Sequence, residues 1–267
     1  MNYFLDPRDR FRGPFFQCTH KEIEIMRLLL IRHGDPDYKN DTLTERGWKE
    51  AEVLSEKLVK EELTHIYVSP LGRARDTASK TLEKLGRTAE TLDWLREFSP
   101  TIYDPEIGRE RICWDWLPGV WTKEEVYYDR NAWCHTPVME GCGADTEFDR
   151  VRRGLDELLE RHGYVREGNI YRAERPNRDT IALFCHFGVA CIILGHLIGA
   201  PPMVLWHGLC GLPTSVTTVM TEERRAGIAS FRATCYGDVS HLTQAGVEPN
   251  FSGRFCETYD NASERHD

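Results

Sequence analysis

Long apolar stretches are missing from this chain. Apolar runs such as Met203–Trp206 and Ile181–Cys185 fall far short of the ~20 residues a membrane span needs. Basic residues are outnumbered, 34 against 43 acidic ones, which leaves a net charge of −9 over 267 residues. Nucleic acid is therefore not an expected partner, since phosphate contacts along a duplex need a basic face. An anionic small substrate stays open if basic groups gather in one pocket. No C-x-x-C occurs among the nine cysteines, and their odd number in a long chain suits neither a disulfide framework nor a zinc ribbon. The opening MNYFLDPRDRFRGPF has no apolar h-region, so no secretory signal is expected. The sequons at Asn40 and Asn261 then carry no weight, and a cytoplasmic location with reduced thiols is expected. Repeats and low-complexity tracts are also missing. What remains is 40% hydrophobic and 29% charged, the balance of a soluble globular protein with enough length for a sizeable core.

Residues 1–26 are polar, turn-rich and without a clear period, and are expected to form an N-terminal extension; residues 246–267 are expected to be a tail. Between them, Arg27-Leu-Leu-Leu-Ile31 reads as a fully buried strand of a parallel sheet. Thr42-Leu-Thr-Glu45 has capping-box spacing and predicts a helix to about Lys60, with Ala51, Leu54 and Leu58 facing inward. His65-Ile-Tyr-Val68 is a second strand, followed by a helix from Gly72 to Leu85 that Gly86 closes. Residues 99–144 hold four tryptophans (114, 116, 121 and 133), prolines and little period, and are expected to be an insertion with short helical pieces. Asp145-Thr146 then caps a helix to about His162. Thr180–Cys185 is a third buried strand, Val189–Ile198 an apolar helix, and strands follow near 215–220 and 230–234. This order predicts one α/β domain over 27–245, with a sheet covered on both faces.

The polar residues of interest share one structural place. Arg32-His33 follow the first strand, Ser69 to Arg73 the second, and His186 the strand at 180–185. In open α/β sheets the ligand crevice lies outside these carboxyl ends of the strands. Two arginines with two imidazoles make an anion site, and phosphate suits it because guanidinium forks match phosphoryl oxygens. Such a histidine can serve as metal ligand, general base or nucleophile. The neighbouring arginines oppose a cation, so no metal is expected there, and an imidazole that takes the phosphoryl group directly fits better.

Leu30-Ile31-Arg32-His33-Gly34, Leu43-Thr44-Glu-Arg-Gly47 and Val68-Ser69-Pro70-Leu-Gly-Arg73-Ala-Arg-Asp-Thr77-Ala78 closely resemble the histidine phosphatase superfamily, in the branch that contains phosphoglycerate mutase. Phe184-Cys-His186-Phe-Gly188 resembles its second histidine motif, and Pro213–Thr217 and Asp238–Leu242 its closing segments. The resemblance spans about 27–98 and 145–242. It implies a three-layer α/β/α sandwich with a mostly parallel central sheet, phosphoglycerate mutase-like, here with an inserted cap segment. It also implies that His33 is phosphorylated, that Arg32, Arg73 and His186 hold the phosphoryl oxygens, and that Glu97 is the acid. Arg75 falls at a variable place. The implied reaction is hydrolysis of a small phosphate monoester through a phosphohistidine, with no cofactor. Expected partners are a small phosphorylated substrate and at most a second copy of the chain in a homodimer, with no nucleic acid and no membrane. A mutase of the same fold and a catalytically weak phosphate-binding module are the alternatives.

The sequence departs from that pattern at several points. Phe187 stands where the family commonly has glycine after the second histidine, and Asp35 where glutamate or glutamine is common. No glycine-tryptophan element follows Glu97 closely, which leaves Asp93, Asp104 and Glu106 as alternative acids. Only 8 residues separate Gly34 from Leu43, whereas the mutases carry a longer segment there, and this favours a phosphatase. The insertion nets −4 and is aromatic, so as a lid it would favour monophosphates with an apolar, aromatic or cationic body over bisphosphates. Its tryptophans could equally form a local mini-core. His196 and His241 read as structural histidines, and Cys185 as a buried apolar filler.

Overall fold

The computed structural model describes residues 25–104 and 107–251, together with Asp260. Almost all of the N-terminal extension, most of the tail, Cys18, Cys256 and Glu106 lie outside the described residues. Strand β1 (Arg27–Arg32) leads through two short paired strands, β2 (Pro36–Asp37) and β3 (Thr42–Leu43), into helix α1 (Glu45–Leu58). Strand β4 (His65–Val68), helix α2 (Gly72–Leu85) and strand β5 (Glu90–Thr91) follow. The insertion holds a hairpin, β6 (Thr101–Asp104) with β7 (Arg109–Ile112), then one helical turn, α3 (Pro118–Trp121), and a string of 3-10 turns. Helix α4 (Ala144–Arg161) precedes a second hairpin, β8 (Tyr164–Glu167) with β9 (Ile170–Ala173). The chain continues through β10 (Thr180–Cys185), α5 (Phe187–Ile198) and α6 (Pro202–Gly208). It closes with a long hairpin, β11 (Val216–Arg225) and β12 (Ile228–Asp238), and helix α7 (Ser240–Gln244).

One eight-stranded sheet runs in the order β5-β4-β10-β1-β11-β12-β9-β8. The four strands from β5 to β1 are mutually parallel, as their continuous apolar runs predict. From β11 outward the pairing is antiparallel, so the sheet as a whole is mixed. The antiparallel part is larger than expected because hairpin β8–β9 joins it and the β11–β12 hairpin is longer than its apolar segments.

Alternation along the strands divides the core between two faces. Leu28, Leu30, Ile181, Leu183 and Cys185 pack with α4 and α5, whereas Leu29, Ile31, Ala182 and Phe184 pack with α1 and α2. Fully burying each such aliphatic or aromatic side chain is worth ~1.5–3 kcal/mol, which pins the strand register on both faces. Cys185 is thus the apolar filler expected.

Two caps differ from the sequence expectation. Thr44, not Thr42, caps α1 and accepts the Gly47 amide at 3.1 Å; Thr42 is in β3 and donates to Asp76. Helix α4 starts at Ala144 after a left-handed Gly143, which places Asp145 and Glu147 in the first turn, where the helix dipole favours acids. The insertion is built on its tryptophans. Trp133 is fully buried among Phe98, Phe148 and Trp206, Trp121 stacks on His207, and Trp116 packs on Tyr127. All of them belong to the core that α4 and α5 share. Among the described residues, no helix is long and apolar enough to cross a membrane.

Candidate active site

Three adjacent parallel strands end side by side and carry the site. His33 follows β1, Ser69 follows β4, Arg73 sits in the first turn of α2, and His186 joins β10 to α5. The imidazoles of His33 and His186 lie 5.1 Å apart between ring centroids, tilted by 57°. His33 is 2% exposed and His186 fully buried.

The turn at His33 is held from every side. Its amide donates to the Cys185 carbonyl at 3.1 Å, and its carbonyl accepts the Thr214 amide at 3.1 Å. Thr214 has φ +57°, an unfavourable setting for a β-branched residue, and is itself tied to the buried His241 through Oγ1 at 3.2 Å. Gly34 donates its amide to Thr77 Oγ1 at 2.9 Å, and a Cβ on Gly34 would stand 2.8 Å from the Gly47 carbonyl oxygen. The Arg-His-Gly turn therefore needs its glycine to lie against the start of α1.

His33 Nδ1 lies 2.7 Å from the Gly34 carbonyl oxygen, an acceptor only, so Nδ1 carries the proton. In the neutral ring this leaves the lone pair on Nε2. Burial pushes the His33 pKa well below the ordinary imidazole value, and the charges of Arg32 and Arg73 push the same way against the Gly34 hydrogen bond. His186 is shifted in the same direction by burial, by His33 and by both arginines.

Arg32 donates through Nη1 to the Gly211 carbonyl, and Arg73 through Nη1 to Asp41 Oδ1 at 2.7 Å. Asp41 is left-handed at φ +48° and also accepts the Gly72 amide, so it fixes both the start of α2 and the arginine. Nε2 of His186 lies 2.7 Å from Ser69 Oγ. Of the buried nitrogens that have no hydrogen-bond partner among the described residues, three belong to this site: Nε of Arg32, Nε of Arg73 and Nδ1 of His186. Buried polar groups are almost always paired, so three unpaired nitrogens from three strand ends mark a place for an anion.

Glu97 reaches the same region from the loop before β6. Its Oε1 accepts the amides of Phe98 at 2.7 Å and Val189 at 2.9 Å, and Oε2 accepts that of Gly188 at 3.2 Å. The carboxylate thus occupies the positive end of α5, directly after His186. Burial raises the Glu97 pKa above the usual carboxylate value, against the three amides and Arg32. The alternative acids stand elsewhere. Asp93 is an exposed partner of Arg96 and Arg150, Asp104 pairs with Arg111 at 3.0 Å within the β6–β7 hairpin, and Glu106 is outside the described residues.

Phe187 meets the Trp114 ring at 5.8 Å and shares a small cavity with Arg32, Gly211 and Tyr236. Arg75 is exposed. His196 pairs with Asp156, and His207 stacks on Trp121. Sequence reasoning assigned no role to Ser69 or Thr214, although both lie inside the quoted motifs, and missed Asp41, for which the sequence carries no local signal.

A family model for the histidine phosphatase superfamily, branch 1, matches residues 28–234. Phosphoserine phosphatase 1 of Hydrogenobacter thermophilus is 24% identical over 225 residues, covering 79% of this chain and 94% of that one. A native mycobacterial glucosyl-3-phosphoglycerate phosphatase superposes with a TM-score of 0.54 at 22% identity, over 80% of this chain and 99% of its own. A phosphoserine phosphatase mutant from Entamoeba histolytica, in complex with phosphoserine, gives 0.51 at 20% identity, over 81% and 99%. These superpositions speak to the fold.

Proposed function

Because the chain belongs to the histidine phosphatase superfamily, branch 1, and with it to the phosphoric monoester hydrolases, we propose that His33 takes the phosphoryl group from a small monoester and passes it to water. The observation that carries this reading is the set of unpaired buried nitrogens of Arg32, Arg73 and His186 beside a neutral imidazole whose Nε2 is unprotonated. Two of the similar proteins, a phosphoserine phosphatase and a glucosyl-3-phosphoglycerate phosphatase, act on small organic phosphates, which supports the same reaction class.

In the first half-reaction Nε2 of His33 attacks phosphorus and the ester oxygen leaves, taking a proton from Glu97. The raised pKa of Glu97 suits an acid that is protonated when substrate binds. In the second, the Glu97 carboxylate takes a proton from water as the water oxygen attacks the phosphohistidine, which returns neutral His33 and inorganic phosphate. Arg32 and Arg73 stabilise the charge on the equatorial oxygens, more in the transition state than in the ground state. With Ser69 donating to Nε2 of His186, Nδ1–H becomes a third donor to the phosphoryl group.

Brief reaction with an aryl phosphate followed by quenching tests the proposal. A protein-bound phosphate that is acid-labile and base-stable is expected, absent from His33→Ala, with turnover in that variant down at least ~10³-fold and undiminished by chelator in the parent. A label on serine or cysteine would overturn it.

A further inference from the structure

Away from the phosphate crevice, one group of three ligating side chains comes together among the described residues: His65, His162 and Asp179. The topology brings them there. His65 opens β4, Asp179 directly precedes β10, and these neighbouring parallel strands pair Ile181 with His65, so their amino ends lie side by side. His162 is the C-cap of α4. The cluster is therefore at the opposite end of the strands from His33 and His186.

We propose that His65, His162 and Asp179 form a binding site for a divalent transition-metal cation of the zinc class. Nδ1 of His162 lies 3.0 Å from Asp179 Oδ2, and Nε2 of His65 lies 3.6 Å from the same oxygen. All three ligand atoms fall within 4.8 Å of one another. Tetrahedral zinc with bonds of about 2.0–2.1 Å places its ligand atoms about 3.3–3.4 Å apart, so the two measured separations bracket that value. Closing the third side needs only a small turn of His65, which is 46% exposed.

The surroundings are those of a supported site. A ligating histidine commonly has its second nitrogen fixed by a hydrogen bond, and Nε2 of His162 lies 2.9 Å from the Tyr67 hydroxyl. Coordination at Nδ1 requires the tautomer protonated at Nε2; the Tyr67 oxygen then accepts that proton's hydrogen bond, and no proton need leave the neutral ring. Asn177 ties the two backbones, donating to the His162 carbonyl at 2.7 Å and accepting the Asp179 amide at 3.0 Å. The cluster opens into a surface cavity of about 380 Å³, with room for a water as fourth ligand.

Two cations line that cavity, Arg161 and Arg175. Arg161 is paired with Glu90 at 2.9 Å, and Arg175 donates to the Arg161 carbonyl at 2.8 Å. Asp179 and Glu90 balance them, so an incoming cation meets little net repulsion. Two imidazoles with one carboxylate select a transition metal over magnesium or calcium.

The test uses the full chain stripped of metal and titrated with Zn²⁺ against a chromophoric competitor, and with Co²⁺ followed in the visible. One equivalent is expected at micromolar affinity or better, with tetrahedral Co²⁺ bands and no thiolate charge-transfer bands from Cys210 or Cys235. His65→Ala and Asp179→Asn should each weaken binding at least ~10-fold, while phosphatase activity stays at the parent level and reports that the variants are folded. Undiminished binding in His65→Ala, thiolate bands, or no binding at ~100 μM metal would overturn the proposal.

Discussion

Oε1 of Glu97 lies 2.9 Å from the amide nitrogen of Val189, so the residue proposed as the acid also caps helix α5, which begins directly after His186. The two roles separate by substitution. Glu97→Gln keeps an oxygen acceptor but no ionisable group, so turnover should fall by ~10²–10⁴-fold while the melting temperature stays close to the parent. Glu97→Ala should lose the same activity and in addition ~1 kcal/mol of capping stability, a few degrees of Tm in a domain of this size. Parent-like turnover in Glu97→Gln would move the acid to another residue.

Arg73 is set by Asp41, whereas Arg75, two residues on, is exposed. Arg73→Ala should therefore lower kcat/KM by ~10²–10³-fold, the usual loss for one donor to developing charge. Asp41→Ala should produce a smaller loss through the freed guanidinium. Arg75→Ala should be silent. Steady-state kinetics on one aryl phosphate rank the three, and an Arg75→Ala effect larger than that of Arg73→Ala would show the motif to be out of register.

Ser69 acts through His186, whose tautomer it sets from 2.7 Å. Losing one such hydrogen bond is worth ~0.5–1.5 kcal/mol, so Ser69→Ala should cost roughly 3–10-fold in kcat. Its inhibition constant for inorganic phosphate should weaken in step. Unchanged phosphate inhibition would show that Nδ1 of His186 does not face the anion.

The parallel strands were legible because Leu28–Ile31 and Ile181–Cys185 are continuous apolar runs ending abruptly in charged or aromatic polar residues. Arg32, His33, Arg73 and His186 were legible for the same reason, since each stands at or just beyond such an end. What the sequence concealed is tertiary or amphipathic. The Asp41–Arg73 pair spans 32 positions and the Ser69–His186 bond 117, with no local pattern to announce either. Hairpins β6–β7 and β8–β9 have only four residues per strand, alternately buried and exposed in β6 and β9, too short to stand out beside the helix period of α4. The capping-box spacing of Thr42 with Glu45 pointed to the wrong threonine, because Thr42 is taken up in β3 by its pairing with Asp37 and the cap falls to Thr44.

Acid should unfold the protein through its buried imidazoles. The pKa values of His33 and His186 are held well below the ordinary one, and that of His241 is lowered to about 4, burial being the largest cause in each case. Below pH ~6.5 the unfolded chain binds protons that the folded chain refuses, so this contribution is fully present above pH 6.5 and lost as pH falls towards 4. The melting temperature should drop by at least ~5 °C between pH 7 and 4.5. His241→Asn, which keeps a polar partner for Thr214, should flatten that slope. An unchanged slope would remove His241 from the account and leave the loss to His33, His186 or carboxylates.

The tryptophans of the insertion divide by position, and substrate preference should divide with them. Trp121 stacks on His207 within the core and the half-buried Trp116 packs on Tyr127, whereas Trp114, also half-buried and stacked on Trp206, meets Phe187 beside the Arg32 cavity. A body attached to the phosphate would meet aromatic faces there, and residues 99–144 carry a net charge of −4. Monophosphates with an aromatic or cationic body should therefore exceed 3-phosphoglycerate and bisphosphates by at least ~10-fold in kcat/KM, about 1.4 kcal/mol of transition-state preference. Trp114→Ala and Phe187→Ala should erase most of that preference, acting on the aryl phosphate far more than on a small aliphatic one. Trp116→Ala and Trp121→Ala should instead lower both activities together, in proportion to lost thermal stability, because a cavity in a core does not distinguish substrates. Equal losses on both substrates in Trp114→Ala would leave the whole insertion as a packing module, and the preference would then have to come from the Arg32 side of the crevice, where Tyr236 and Gly211 stand.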